Sequence, residues 1–174
     1  HSDLSVINGN RARPMPLVLG HEGSGEVVEV GAGVRDIKVG DPIIFQFSAS
    51  CGVCQNCLSG RPQLCETHDK ARAKGHLMAG GSRLKDSKGV EIAHQSGVSC
   101  FAEYAVVDRG TAVKVDKDLP LADAAIFGCA VMTGVGAVLN TARIRAGDTV
   151  ACVGLGGVGL NGLLGAKLAG AEKI

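Results

Sequence analysis

The sequence predicts an α/β protein in which a β-rich part with a thiol-rich loop precedes one strand and one helix of a parallel sheet. Three observations indicate this. Up to about residue 118, short β-like runs alternate with glycine and proline turns, and longer helical runs follow. Four cysteines crowd into residues 51–65, and the string GLGGVG at 154–159 joins an apolar run to a helix. We therefore expect two domains, 1–129 and 130–174.

The β-rich part is expected to form a small barrel of short strands. Its runs of β-branched and apolar residues are bounded by turns such as Gly31-Ala32-Gly33 and Gly40-Asp41-Pro42. The predicted strands are 25–31, 42–47, 101–108 and 111–116. Residues 66–97 show weak periodicity and many charges, so we predict a long surface loop there.

The second part is expected to alternate helices with one buried strand. Pro120 opens a helical turn through LADAAIFG, and a second helix fits 131–142. TVACV (149–153) is wholly apolar and is predicted to be a buried strand. The helix 157–170 then closes on Gly170.

The cysteine loop CGVCQNCLSGRPQLC predicts a metal site formed by Cys51, Cys54, Cys57 and Cys65. Thiolates at this spacing suit tetrahedral zinc, and four of them leave no open position for chemistry. An iron–sulfur cluster is a weaker alternative, because the fourth cysteine lies eight positions after the third and precedes Glu66 rather than proline. Free thiols or disulfides are the remaining alternative. We interpret residues 51–65 as a structural zinc lobe.

The string GLGGVG predicts a dinucleotide site. Gly154, Gly156 and Gly159 form G-x-G-x-x-G between a strand and a helix, which permits a tight turn, close approach of a pyrophosphate and close packing. The helix that begins at Gly157 would direct its N–H groups at the phosphates. A merely structural turn is the alternative. The acidic residue that grips the ribose would lie beyond Ile174, and the chain begins with His1, so we expect a piece of a longer protein.

Composition restricts the partners. The 174 residues are 45% apolar and 20% charged, with a formal net charge of +1. No basic stripe or aromatic platform is present, so we expect no nucleic acid partner. No run of 18 apolar residues is present, so we expect no membrane span. Seven cysteines, an odd number, and no apolar signal segment predict a reducing, cytoplasmic location.

Several motifs in order make the chain similar to a known family. HSDLS, GHEGSGEVVEVG, the four-cysteine lobe, FAEYAVVD, GCAVMTGVGAV and VGLGGVG follow one another from first residue to last. With these motifs the chain resembles the zinc-dependent medium-chain alcohol dehydrogenases. The resemblance implies a GroES-like small β-barrel with a zinc lobe, followed by the first strand and helix of a Rossmann doubly wound sheet.

The resemblance also implies a catalytic zinc centre. His21 and Cys129 match two of its ligands, and the third, a cysteine, would stand immediately before His1. Asp3 matches the acid that orients the ligand histidine, Glu22 a glutamate behind the metal, and Ser2 the hydroxyl residue at the substrate oxygen. From the residues alone, Cys129 is better explained as a plain buried cysteine, as we interpret Cys100 and Cys152. Likewise Asp3 could be a helix cap and the His-Glu pair a surface feature.

The coenzyme and substrate positions follow from the same resemblance. His1 matches a basic position near the pyrophosphate, Thr133 and Val158 match residues that pack the nicotinamide ring, and Phe47 matches the wall of the substrate pocket. The remaining histidines are expected to lie on loops or to satisfy local hydrogen bonds. They are His68, His76 and His94.

The implied function is hydride transfer between an alcohol or aldehyde and NAD or NADP, in a protein that forms a homo-oligomer when intact. Two positions depart from family patterns. Ser5 stands where many members end the proton relay with histidine, and Asp69 stands where glutathione-dependent formaldehyde dehydrogenases carry arginine. Asp69 favours a general alcohol or aldehyde substrate. The alternatives are a zinc-free quinone reductase-like protein and a non-enzymatic zinc-binding module.

Overall fold

The computed structural model describes residues 1–174, which form two compact units, His1–Ala125 and Ile126–Ile174. The division lies slightly ahead of the boundary expected after residue 129. Each unit has its own secondary structure and is described separately.

The first unit contains six short strands in two three-stranded sheets. The strands are β1 (Leu17–Val18), β2 (Ser24–Glu26), β3 (Pro42–Phe45), β4 (Leu84–Lys85), β5 (Glu91–His94) and β6 (Ala112–Lys114). One sheet has the order β2-β3-β6 and is antiparallel throughout. The other has the order β1-β5-β4, in which β1 runs parallel to β5. Neither sheet closes, so the expected barrel is not complete.

Strand β3 is the central strand of the first sheet, between β2 and β6, and all four of its residues are buried. Ile43 pairs with Lys114 and Ile44 with Val113, which fixes the register with β6. The apolar side chains around β3 form the core of the unit. They are Val27, Ile37, Ile43, Phe45, Val98 and Ala112.

All four expected strands are shorter than predicted or absent, since 42–47 is a strand only over Pro42–Phe45 and 111–116 only over Ala112–Lys114. The run 25–31 is a strand only to Glu26, and 101–108 is not a strand at all. The period-2 pattern predicted extension, but a ladder also needs a paired partner. Both segments instead line a cavity of about 650 Å³, and Val28 and Tyr104 are largely exposed.

The helices of the first unit are short. They are α1 (Ser2–Ile7), α2 (Gln55–Leu58), α3 (Glu66–Ala73) and α4 (Leu121–Ala124), with 3₁₀ turns at Pro62–Leu64 and Arg109–Thr111. A further 3₁₀ turn, Ala125–Gly128, follows α4. The helical turn expected over LADAAIFG is therefore present.

The prediction of a surface loop over 66–97 is wrong. This stretch contains α3, β4 and β5, and it buries His94 and Gln95 almost completely. Hydrophobic periodicity does not predict helix α3, because this helix has no apolar face. Its charge pattern was the usable signal, with acidic residues in the first turn and basic residues in the last.

The second unit packs two helical segments together. Helix α5 (Ala130–Gly136) continues as a π-helical segment, Ala137–Ala142, and α6 spans Gly157–Leu168. Both expected helices are present within two residues of their predicted ends. The close approach of α5 and α6 depends on Gly134, where a Cβ would overlap the carbonyl oxygen of Val158.

The expected buried strand 149–153 is not formed. Only Thr149 makes a β-bridge, parallel to Lys173, and Val153 is fully exposed. A parallel strand is stable when neighbours cover it on both sides, and these residues have one bridging partner in this chain. The apolar composition of 149–153 therefore predicted a buried strand, but the other residues of this chain leave these side chains at least partly exposed.

No single helix is long and apolar enough to cross a bilayer. One bent pair, Leu121–Gly128 with Ala130–Ala142, meets the length and composition requirements only in combination.

Candidate metal and coenzyme sites

The four lobe cysteines converge as the sequence predicts. Cys54 and Cys65 occupy the N-cap positions of α2 and α3, and Cys57 lies inside α2. All four Sγ atoms lie within 4.8 Å of one another, and the four residues form no disulfide. The Sγ of Cys54 lies 3.5 Å from that of Cys57 and 4.0 Å from that of Cys65. Sulfurs about 2.3 Å from one tetrahedral zinc would be spaced about 3.8 Å apart, so the set fits zinc.

Backbone N–H groups stabilise the thiolate forms in this lobe. The N–H of Cys51 donates to Cys65 Sγ and that of Cys54 donates to Cys51 Sγ, each at 3.3 Å. The Thr67 hydroxyl and neighbouring N–H groups lower the pKa of Cys51 to about 6. Burial and the adjacent Cys54 thiol raise the pKa of Cys57 to about 11. Zinc binds the thiolate form, so metal binding would release the protons that remain on the four sulfurs.

A second site is built around His21. Helix α1 places Asp3 in its first turn, and the Asp3 carboxylate accepts from the Gly20 N–H at 2.9 Å. Its other oxygen lies 2.6 Å from Nδ1 of His21, a residue only 6% exposed. A carboxylate accepts, so Nδ1 carries the proton and Nε2 keeps the lone pair that a metal requires.

The turn that carries His21 and Glu22 is held close to Cys100. Gly20 has a φ of +100°, and a Cβ there would lie 2.9 Å from Cys100 Sγ. A Cβ at Gly23 would lie 2.8 Å from the same sulfur, which also donates to the carbonyl of Glu22 at 3.2 Å. Burial raises the pKa of Cys100 to about 11. Cys100 thus packs beneath the histidine turn, a role that sequence reasoning missed although the two glycines were a signal for close packing.

Phe47 and Ser2 are further predicted residues of this site. Phe47 meets the His21 imidazole edge-on, with ring centroids 6.3 Å apart and an interplanar angle of 79°. Ser2 precedes Asp3 at the start of α1. The Ser5 hydroxyl donates to the backbone carbonyl of His1 at 3.1 Å, so its proton is used in a hydrogen bond at the start of α1.

The GLGGVG turn has the geometry expected for a phosphate site. Gly154 has a φ of +98°, and a Cβ at Gly159 would overlap the Gly154 carbonyl oxygen. A Cβ at Gly154 or Gly156 would meet nothing within 4 Å, so the backbone is open there. Gly156 caps the 12-residue helix α6, which begins at Gly157. A pyrophosphate fits this arrangement of an open glycine backbone at a helix N-terminus.

The remaining predicted positions lie in the second unit. Thr133 on α5 and Val158 on α6 are exposed, and they flank the tight contact at Gly134. Cys129 is the half-buried N-cap residue of α5, and its carbonyl accepts from the Thr133 N–H at 2.9 Å. Its role as a metal ligand stays a prediction.

Comparison with known proteins gives one family and many relatives. The family model described as the alcohol dehydrogenase GroES-like domain matches residues 1–117. The S-(hydroxymethyl)glutathione dehydrogenase of Saccharomyces cerevisiae is 43% identical over 175 residues, covering 100% of this chain and 45% of that protein.

Solved structures agree with this result. An alcohol dehydrogenase zinc-binding domain protein from Burkholderia ambifaria is 35% identical, with a TM-score of 0.90 over 99% of this chain and 46% of its own. A benzyl alcohol dehydrogenase from Acinetobacter calcoaceticus is 34% identical, with a TM-score of 0.84 over 99% of this chain and 46% of its own. The chain thus spans less than half the length of these relatives.

Proposed function

This chain belongs to the zinc-dependent medium-chain alcohol dehydrogenase family, and from that premise we propose that the intact protein oxidises an alcohol, or reduces an aldehyde, with NAD or NADP. The family match confirms the resemblance and the GroES-like nature of residues 1–117. The single observation that carries the proposal is the 2.6 Å contact between the part-buried Asp3 and the buried His21.

That pair supports a catalytic metal because it fixes which nitrogen of His21 can coordinate. A ligand histidine is normally oriented by a carboxylate on its other nitrogen, and Asp3 has this position. We assign His21 and Cys129 as zinc ligands, and Glu22 as the carboxylate close behind the metal. Zinc at an open site acts as a Lewis acid that lowers the pKa of a bound alcohol.

The proton of the alcohol would leave through this chain's own groups. Ser2 is assigned to the substrate oxygen, where a hydroxyl can accept one proton and pass on another. Ser5 replaces the relay histidine of many family members and is bonded to the His1 carbonyl. We propose that the proton passes from Ser2 to water.

The lobe of Cys51, Cys54, Cys57 and Cys65 is assigned to a structural zinc. Four thiolates close the coordination sphere, so this ion would stabilise the fold and take no part in the reaction. The region 51–65 is otherwise made of turns and very short helices, which need such a crosslink.

The coenzyme would bind on the second unit, which we assign to a Rossmann domain starting near residue 130. NAD or NADP accepts and returns the hydride. Gly154, Gly156, Gly157 and Gly159 would hold its pyrophosphate, and His1 would add a positive group. Thr133 and Val158 would pack against the nicotinamide. One solved relative, from Sinorhizobium meliloti, is described as bound to NADP, with 32% identity and a TM-score of 0.71 over 98% of this chain and 43% of its own.

The substrate is proposed to be a general alcohol or aldehyde, against Phe47, and not a glutathione adduct. Position 69 offers no free cation for a glutathione carboxylate, because Asp69 lies there and pairs with Arg72 at 2.6 Å. The yeast relative is named for a glutathione adduct and the Acinetobacter relative for benzyl alcohol. We further propose a cytoplasmic homo-oligomer with no nucleic acid or membrane partner.

The substitution His21→Ala in the intact protein tests the proposal. We expect loss of alcohol-dependent formation of reduced coenzyme, by about 100-fold or more, because the ligand that holds the Lewis acid is removed. Coenzyme binding, measured by calorimetry, should stay within about twofold of wild type, since its phosphates contact the second unit. Replacement of the partly exposed His76 by alanine is the matched control. Near-normal turnover in His21→Ala would exclude the assigned chemistry.

A further inference from the structure

Helix α3 is held against the rest of the first unit by a polar side chain, which is unusual for a surface helix. Its sequence ETHDKARA is strongly polar, and its single buried residue is a histidine, His68, which is 5% exposed. A surface helix normally buries an apolar stripe. A buried histidine needs hydrogen-bond partners, because an unsatisfied buried polar group is destabilising.

His68 connects the cysteine lobe to Phe47, which follows the end of β3 and contacts His21. Its backbone N–H donates to Cys65 Sγ at 3.4 Å. Its ring nitrogen Nε2 lies 3.0 Å from the carbonyl oxygen of Phe47. A carbonyl can only accept, so Nε2 is the donor.

Phe47 completes the connection. Its backbone carbonyl receives the His68 bond, while its ring meets the imidazole of His21 edge-on at 6.3 Å. The ring also packs against the buried core around β3. A shift of this backbone would therefore move the ring that borders the proposed substrate position.

We propose that His68 is a positioning residue, which ties the Phe47 segment to the zinc lobe and thereby sets the position of the Phe47 ring against His21. The connection runs from Cys65 through His68 and Phe47 to His21. Through this connection the geometry of the His21 site depends on whether the cysteine lobe is folded, although the lobe takes no part in the chemistry. The consequence for catalysis rests on the proposed function, whereas the hold on Phe47 does not.

The first test is hydrogen–deuterium exchange of the backbone around residues 44–50 in the intact, zinc-loaded protein. In His68→Leu, which keeps an apolar filling but no donor, we expect exchange of this segment to rise about tenfold or more. In His68→Gln, whose amide nitrogen can replace Nε2, exchange should return toward wild type. Removing the lobe zinc with a thiol reagent should raise exchange of the segment in wild type and add little in His68→Leu.

Controls separate positioning from general destabilisation. His76→Leu removes a histidine from the same stretch that pairs with Glu91 and not with Phe47, so it should leave the segment unchanged. If His68→Leu does not fold, His68→Gln is compared with His68→Asn, whose shorter amide cannot reach the carbonyl. Equal exchange in the compared variants, or a rise spread evenly over the first unit, would overturn the proposal.

The second test is steady-state kinetics with the alcohol as the varied substrate. We expect kcat/KM for the alcohol to fall about tenfold or more in His68→Leu and to recover in His68→Gln, with the coenzyme KM unchanged. Unchanged kcat/KM in His68→Leu would overturn the catalytic part. If wild type has no dehydrogenase activity, the proposed function fails, and the exchange measurement still decides whether His68 holds Phe47.

Discussion

At the scale of single residues, the contact between Asp3 and His21 is the basis of the proposed chemistry. The 2.6 Å contact assigns the proton to Nδ1 of His21 and leaves Nε2 for a metal. The GHE motif and the family resemblance predicted both residues. They did not predict the role of Cys100, which packs under the turn at Gly20 and Gly23, because the two glycines indicate close packing without indicating which residue they contact.

The residue-scale prediction concerns Asp3→Asn in the intact protein. Asparagine keeps the size but removes the charge that orients the imidazole. We expect catalytic zinc to bind about 10- to 100-fold more weakly, as found when such outer partners of ligand histidines are changed. Competition with a chromogenic chelator measures this affinity.

The matched control is Asp116→Asn, which removes one carboxylate far along the sequence from the His21 turn. Zinc affinity equal to wild type in Asp3→Asn would show that the carboxylate does not orient His21.

At the scale of secondary structure elements, the turn before α6 shows how glycine shapes the proposed coenzyme site. A side chain at Gly159 would overlap the Gly154 carbonyl, whereas the backbone at Gly154 and Gly156 is open. In Gly159→Ala we expect coenzyme affinity to fall about tenfold or more while the zinc of the cysteine lobe is retained, because the lobe lies in the other unit. Calorimetric titration with NAD and NADP measures the loss.

Gly136→Ala on α5 is the control for that substitution. Its added methyl group would meet only the end of the Asn140 side chain, at 3.8 Å, so coenzyme affinity should be unchanged. Coenzyme binding as tight in Gly159→Ala as in wild type would contradict the assignment of the turn.

The elements that could be predicted are those whose own residues contain a recognisable motif or turn spacing. Helix α6 and its turn follow from the glycine spacing, and β3 follows from PIIF between two turns. The segments 101–108 and 149–153 have the composition of strands, yet they lack the partners that a ladder needs. Helix α3 was missed because its one buried contact is a hydrogen-bonded histidine rather than an apolar stripe.

At the scale of the whole molecule, the chain divides into two compact units, and we propose a different kind of site on each. The lobe cysteines are local to residues 51–65, which is why their convergence could be predicted from spacing alone. The contact of His68 with Phe47 spans residues distant in sequence, and no pattern in the sequence indicates it. The central claim is that the intact protein holds two zinc ions, one structural and one catalytic.

Metal analysis of the intact protein tests that claim most directly. Wild type should contain two zinc ions per chain, because one closed thiolate site and one open site are assigned. Cys54→Ser should lose one zinc and much of its stability while the catalytic metal remains, because a closed site contributes folding free energy. One zinc in wild type would instead indicate a binding module, none a zinc-free reductase, and full zinc retention in Cys54→Ser would contradict the assignment of the lobe.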